Sequence, residues 1–157
     1  MEFTEVYNEY YPRVFRLCMG YVNDEERAKD LVQEAFINVW KYLPGFRGEA
    51  ALGTWVFRIA TNVCLRYAET EKKHQHVAVP KQIPEAPQQN IEDKLQVLYK
   101  CIGGLKETER IIISLVLEGL PGSDIAAITG ISEANVRVKI HRLKDKLSQL
   151  YKAYEQF

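Results

Sequence analysis

The stretch from Gly119 to Leu147 restricts what this chain can fold into more than any other. Ser123 stands where a helix N-cap belongs, and Ile125, Ala126 and Ile128 then fall on one inward face. Gly130 ends that short helix at a position suited to a left-handed residue, so the chain turns sharply. Ile131 plugs the corner, and Ser132 caps a second helix running to about Leu150. Small Ala126 lets the two axes approach, and Val136 fills the angle between them. Two helices joined in this way form a helix-turn-helix, whose second helix normally lies in the DNA major groove.

That second helix has two unlike faces. Val136, Ile140, Leu143 and Leu147 recur at the spacing of one apolar stripe. Ala134, Val138 and His141 point away from it, flanked by Asn135, Arg137 and Arg142. A small, partly apolar tip with Arg and Asn at its margins suits base edges and phosphates.

Charge is divided along the chain. The formal net charge of the 157 residues is zero, whereas a stand-alone DNA binder is usually basic because phosphate neutralisation supplies much of its affinity. Between Ser132 and Lys152 six Lys or Arg oppose two acidic residues, while residues 1–70 carry eight basic and ten acidic ones. One end is built for phosphate; the other needs help to reach it. The 46% hydrophobic and 27% charged content fits a soluble globular protein of one ordinary domain or two small ones.

The start carries Glu2, Glu5 and Glu9 in place of a basic-then-apolar leader, and no apolar run approaches a membrane span of about 18 residues. No membrane insertion is expected. Cys18, Cys64 and Cys101 are far apart in sequence and odd in number, as befits reduced thiols in a cytoplasm, where the protein is expected to reside. His74 and His76 lack any finger-like spacing to them, so neither a metal nor another cofactor is expected.

Helical periodicity covers the rest. Phe3 to Val22 reads as two helical pieces joined near Pro12. Asp24 to about Leu43 reads as a strong helix with an acidic opening. Its broad apolar side comprises Ala28, Leu31, Val32, Ala35, Phe36, Val39 and Trp40, and its polar strip comprises Asp30, Gln33, Glu34 and Asn38. Pro44 to Glu49 is a loop, and Thr54 caps a helix from Trp55 to about Glu71. From Lys72 to Asn90 prolines and glutamines replace large apolar residues, the signature of a flexible linker. Ile91 to Cys101 and Glu107 to Leu117 form two further helices, the second nearly all apolar, leading into the helix-turn-helix. The expected fold is therefore all-α: two small helical bundles, residues 1–71 and 91–157, joined by the linker 72–90.

Three blocks in the first half, Asp30-Leu-Val-Gln-Glu-Ala-Phe-Ile-Asn-Val-Trp40, Phe46-Arg-Gly-Glu49 and Thr54-Trp-Val-Phe-Arg-Ile-Ala-Thr-Asn62, resemble region two of bacterial RNA polymerase sigma factors. Leu105-Lys-Glu-Thr-Glu-Arg-Ile-Ile-Ile113, Glu118-Gly-Leu120, Asp124-Ile-Ala126 and Gly130 to Leu143 resemble region four. A chain with only these two regions is similar to the extracytoplasmic-function group. The resemblance implies a non-enzymatic initiation factor whose partners are core RNA polymerase, promoter DNA and an anti-sigma factor. It implies that Asp30, Gln33, Glu34 and Asn38 dock the polymerase clamp. It further implies that the loop from Pro44 to Gly53, with Phe46, Arg47, Gly48 and Glu49, captures an unstacked base of the minus-ten element during melting, and that Trp55, Arg58, Asn62 and Arg66 of the following helix face that DNA. Ala134, Asn135, Arg137, Val138, His141 and Arg142 would read the minus-thirty-five element. Val138 stands where relatives more often carry serine, which exchanges a hydroxyl contact for one to a thymine methyl. A conventional helix-turn-helix repressor would account for residues 105–150 and leave the Asp30-to-Asn62 blocks unexplained. No Gly-rich phosphate loop or nucleophile–base pair points to an enzyme.

Overall fold

A computed structural model describes residues 2–74 and 91–155. The described residues form seven α-helices: α1 (Phe3–Val22), α2 (Glu25–Tyr42), α3 (Leu52–His74), α4 (Ile91–Gly103), α5 (Glu107–Leu117), α6 (Gly122–Thr129) and α7 (Glu133–Glu155). A single 3-10 turn, Leu43–Gly45, follows α2. The expected all-α class holds.

Helix ends follow side-chain chemistry in most places. Asn23 closes α1 in the left-handed region at φ 53° and donates its N–H to the Met19 carbonyl. Asp24 then opens α2 by accepting the Arg27 backbone N–H at 3.1 Å. Gly130 ends α6 at φ 78°, and the Ser132 hydroxyl caps α7 by accepting the Asn135 N–H at 3.2 Å.

Three local expectations need correction. Pro12 lies inside one unbroken helix. Both Pro12 and Asn8, whose carbonyl loses its partner, sit on the exposed side, where water can satisfy that oxygen. Thr54 is buried within the first turn of α3, which begins at Leu52, so it does not cap that helix. Likewise α6 starts at Gly122 with Pro121 before it and no side-chain cap, leaving Ser123 exposed in its first turn. The Pro121 carbonyl accepts the Asp124 and Ile125 N–H groups, at 3.0 and 3.1 Å. The expected boundary after residue 71 falls inside α3, and residues 75–90, with His76, lie outside the described residues.

Val14 and Leu17 of α1, Val32 and Val39 of α2, and Phe57 and Val63 of α3 fill the first half of the core. Ile111 to Ile113 and Leu115 of α5 fill the second, against Ile125, Val136 and Leu143. The two groups form one continuous apolar cluster. Helix α5 packs on α1, α4 on α1, and α6 on α3. Gly20 makes the α1–α5 approach possible, because a Cβ there would stand 2.5 Å from the Ser114 hydroxyl.

Candidate nucleic-acid interface

Helix α7 presents its expected reading face to solvent. Ala134, Asn135, Arg137, Val138, His141 and Arg142 are all exposed, while Val136, Leu143 and Leu147 on the opposite side are buried. Val138, an apolar side chain 47% exposed, is held outward by that same periodicity. His141 lies 3.9 Å from Asp145 one turn on. The face can lay a mixed apolar and cationic surface into a groove.

The loop before α3 turns on Gly48 at φ 75°, with Arg47, Gly48 and Glu49 exposed. Phe46 packs against Trp55 with ring centroids 5.0 Å apart, so the loop is anchored by an aromatic pair at the start of α3. Gly53 points inward: a Cβ there would meet the Tyr10 hydroxyl at 3.2 Å. Arg58, Asn62 and Arg66 follow at four-residue spacing. Asn62 and Arg66 are exposed, whereas Arg58 Nη2 donates to the Ala127 carbonyl of α6 at 3.3 Å.

The polar strip of α2 separates in space. At about 100° per residue, Asp30 and Glu34 share the outer line while Gln33 and Asn38 turn to opposite sides of it. Gln33 lines an aromatic groove against α1 with Phe3, Tyr7, Phe36, Ile37 and Trp40. Trp40, expected on the apolar underside, is 64% exposed and belongs to this groove. Asn38 instead lines a second groove with Tyr42, Ile59, Asn62 and Arg66.

A polar seam joins the halves and escaped the reading of the sequence. Arg16 Nε donates to both Glu118 carboxylate oxygens, at 2.5 and 3.1 Å, and Arg13 Nη2 donates to the Glu118 carbonyl at 2.7 Å. That hydrogen bond holds Arg16 more firmly in its charged form. Arg110 Nη1 donates to the Tyr21 carbonyl at 3.0 Å, and its guanidinium lies 4.9 Å from the Tyr21 ring centroid. Tyr21 Oη, Arg110 Nε and Ser114 Oγ are buried without a hydrogen-bond partner among the described residues. These partners lie about a hundred positions apart in the chain, so no local pattern could have paired them.

Cys18 and Cys64, distant in sequence, meet at 3.9 Å between α1 and α3. Their mutual hydrogen bond and burial push the Cys18 thiol well above its ordinary value, which keeps it protonated and unreactive. Among the described residues no cluster of His, Cys, Asp and Glu is placed to hold a metal. No helix among them is long and apolar enough to cross a membrane.

Comparison with known proteins accounts for both halves. The family described as sigma-70 region 2 matches residues 6–74, and sigma-70, region 4, matches residues 95–147. The chain is 27% identical to the RNA polymerase sigma-H factor of Pseudomonas aeruginosa, over 90% of this chain and 81% of that protein. It is 29% identical to the ECF RNA polymerase sigma-E factor of Escherichia coli, over 88% of this chain and 80% of the relative. In fold it is similar to the sigma factor RpoE of Bartonella quintana, solved with the anti-sigma factor NepR. The TM-score there is 0.79 at 23% identity, covering 96% of both chains. It is also similar to CnrH, solved with the cytosolic domain of CnrY, with a TM-score of 0.69 at 22% identity, covering 96% of this chain and 88% of that one. The chain belongs to the sigma-70 family of bacterial RNA polymerase sigma factors, in its extracytoplasmic-function group.

Proposed function

We infer that this protein is a cytoplasmic initiation factor: it binds core RNA polymerase, directs it to promoters, opens the duplex locally and starts transcription, under the control of an anti-sigma factor. The observation that carries this reading is the ordered pair of sigma regions, with the α7 reading face exposed in the second half of the chain and the loop anchored by Phe46 and Trp55 in the first. Asp30, Gln33, Glu34 and Asn38 are the polymerase-docking residues, on α2 where short polar side chains stand over a rigid apolar underside. The loop from Phe46 to Glu49, with Trp55, Arg58, Asn62 and Arg66, engages the minus-ten element. Ala134, Asn135, Arg137, Val138, His141 and Arg142 engage the minus-thirty-five element.

Geometry then demands a rearrangement. Elements about 25 base pairs apart are separated by about 85 Å at the rise of B-form DNA. A compact chain of this length is only about 40 Å across, from its expected radius of gyration. The α1–α5 and α3–α6 contacts must therefore separate before both ends meet DNA, which also frees Arg58 from Ala127. The unpartnered Tyr21, Arg110 and Ser114 atoms of the seam regain water on opening, which lowers its cost. An anti-sigma factor that binds both halves would act by holding them together.

Electrophoretic mobility shift on a promoter library, at about physiological ionic strength, tests the reading. The chain alone is expected to give little specific binding, because its two modest sites act together only when polymerase presents them. With core enzyme, specific complexes should form. Tight specific binding by the chain alone, or none with core, would overturn it.

A further inference from the structure

We propose that the cleft where α1, α2 and α3 meet α5 binds a small free amino acid. Arg110, Arg27 and the Tyr21 hydroxyl hold its carboxylate, Glu71 and Glu107 hold its ammonium, and the bound molecule keeps the two halves of the chain together. The proposal rests on the initiation role inferred above and adds a small-molecule effector to it.

The cleft encloses about 210 Å³ and is lined by Tyr21 of α1, Arg27 of α2, Tyr67 and Glu71 of α3, and Glu107 and Arg110 of α5. At about 30 Å³ per water it has room for roughly seven waters, or for a solute of on the order of seven heavy atoms. Two of its buried groups lack a partner among the described residues: the hydroxyl of Tyr21, a residue only 2% exposed, and Arg110 Nε. Burying such groups unpaired is unfavourable. A carboxylate answers both, because an ionised oxygen accepts the stronger hydrogen bond from each. Burial, then the Glu107 charge, raises the Tyr21 phenol above its ordinary value, so it keeps the proton it donates.

The donors are already in place. Arg110 Nη1 donates to the Tyr21 carbonyl at 3.0 Å, and its guanidinium lies 4.9 Å from the Tyr21 ring centroid. Its Nε cannot swing to solvent without breaking both contacts. Arg27 Nη1 donates to Tyr67 Oη at 2.7 Å and lies 3.7 Å from the Glu71 carboxylate. Charge then identifies the ligand. Two guanidiniums and two carboxylates line one small space, so an ion of either sign is attracted by one pair and repelled by the other. A zwitterion satisfies both. Val22 and Ala68 complete the lining and leave an apolar wall for a short aliphatic side chain.

The site is complete only when the halves are packed together. Separation of α5 from α1 takes Glu107 and Arg110 away from the other four residues. The amino acid therefore binds the closed form, and at a hundred times its Kd it favours that form about a hundredfold. By the same linkage it weakens the binding of core polymerase.

The test titrates each common free amino acid into the full chain by isothermal calorimetry, up to about 10 mM, which reveals a Kd of about 1 mM. Propionate and ethylamine, which each keep one of the two charges, are titrated beside them. A small amino acid should bind at least about tenfold more tightly than either. At ten times its Kd it should weaken core binding about tenfold, read by fluorescence anisotropy. Tyr21→Phe removes a hydroxyl that has no partner in the ligand-free chain, so its melting temperature should hold while amino-acid affinity falls about tenfold. Glu71→Gln, at a part-exposed position, should lose the preference over propionate. No heat with any amino acid, which would leave the cleft to water, would overturn the proposal. So would propionate binding as tightly, unchanged affinity in Tyr21→Phe, or core affinity indifferent to the ligand. A ligand-free chain that failed to bind core would instead reject the inferred function, and the calorimetry would stand apart from that result.

Discussion

Arg16→Ala should open the molecule. Arg16 donates to both oxygens of Glu118, whose side chain is only 5% exposed, while the Arg16 side chain is 49% exposed. Hydrogen bonds to charged groups contribute about 1.5–3 kcal/mol, and screening at the half-exposed guanidinium reduces this to about 1–2 kcal/mol. Deleting Arg16 leaves a carboxylate buried without its main donor so long as α5 stays on α1, and separation returns it to water. The open population should thus rise about 5- to 30-fold. Energy transfer between dyes on Glu26→Cys and Ser148→Cys, both exposed positions in opposite halves, reads this directly. The native Cys18, Cys64 and Cys101 are buried and should label slowly. Affinity for core enzyme should rise by a comparable factor if only the open form binds, since apparent affinity scales with the competent fraction. Unchanged transfer and unchanged core affinity in a folded Arg16→Ala protein would refute the latch.

Gly20→Ala tests the same seam from its apolar side. Alanine should strengthen α1 by up to about 1 kcal/mol, yet its Cβ would collide with the Ser114 hydroxyl, so energy transfer should report opening, and adding Ser114→Ala should reverse much of it. Arg137→Glu should leave core binding intact and lower promoter-specific transcription by more than about tenfold, measured as run-off product, through loss of one cationic contact and gain of repulsion. Burial raises the Tyr21 phenol above its ordinary value near 10, followed by the nearby Glu107 charge. The closed form therefore keeps this contribution below about pH 10 and loses it as pH rises further; energy transfer should fall across that window, and less steeply in Tyr21→Phe.

Local chemistry made the helix-turn-helix legible. Gly130, Ser132 and the Val136–Leu147 stripe act within a few residues of one another, and the structure has them capping, turning and packing as their types demand. Pro12 misled because its cost depends on whether the freed carbonyl meets water, a tertiary property. Ser123 and Thr54 misled because α6 and α3 begin before them, the Pro121 and Ala51 carbonyls accepting the first helical N–H groups. The α2 strip looked uniform along the sequence, and only the neighbouring helices divide it into an outer line and two grooves. The Arg16–Glu118 pairing spans 102 positions, so the Glu118-Gly-Leu120 stretch could be noticed while its partner could not.

Mapping transcript 5′ ends across a broad panel of templates, with purified core enzyme alone and with this protein added, tests the central assignment most directly. Addition should produce discrete starts at a fixed distance downstream of two short elements, and those starts should disappear with Arg137→Glu. Transcripts that began as diffusely with the protein as without it would contradict the assignment.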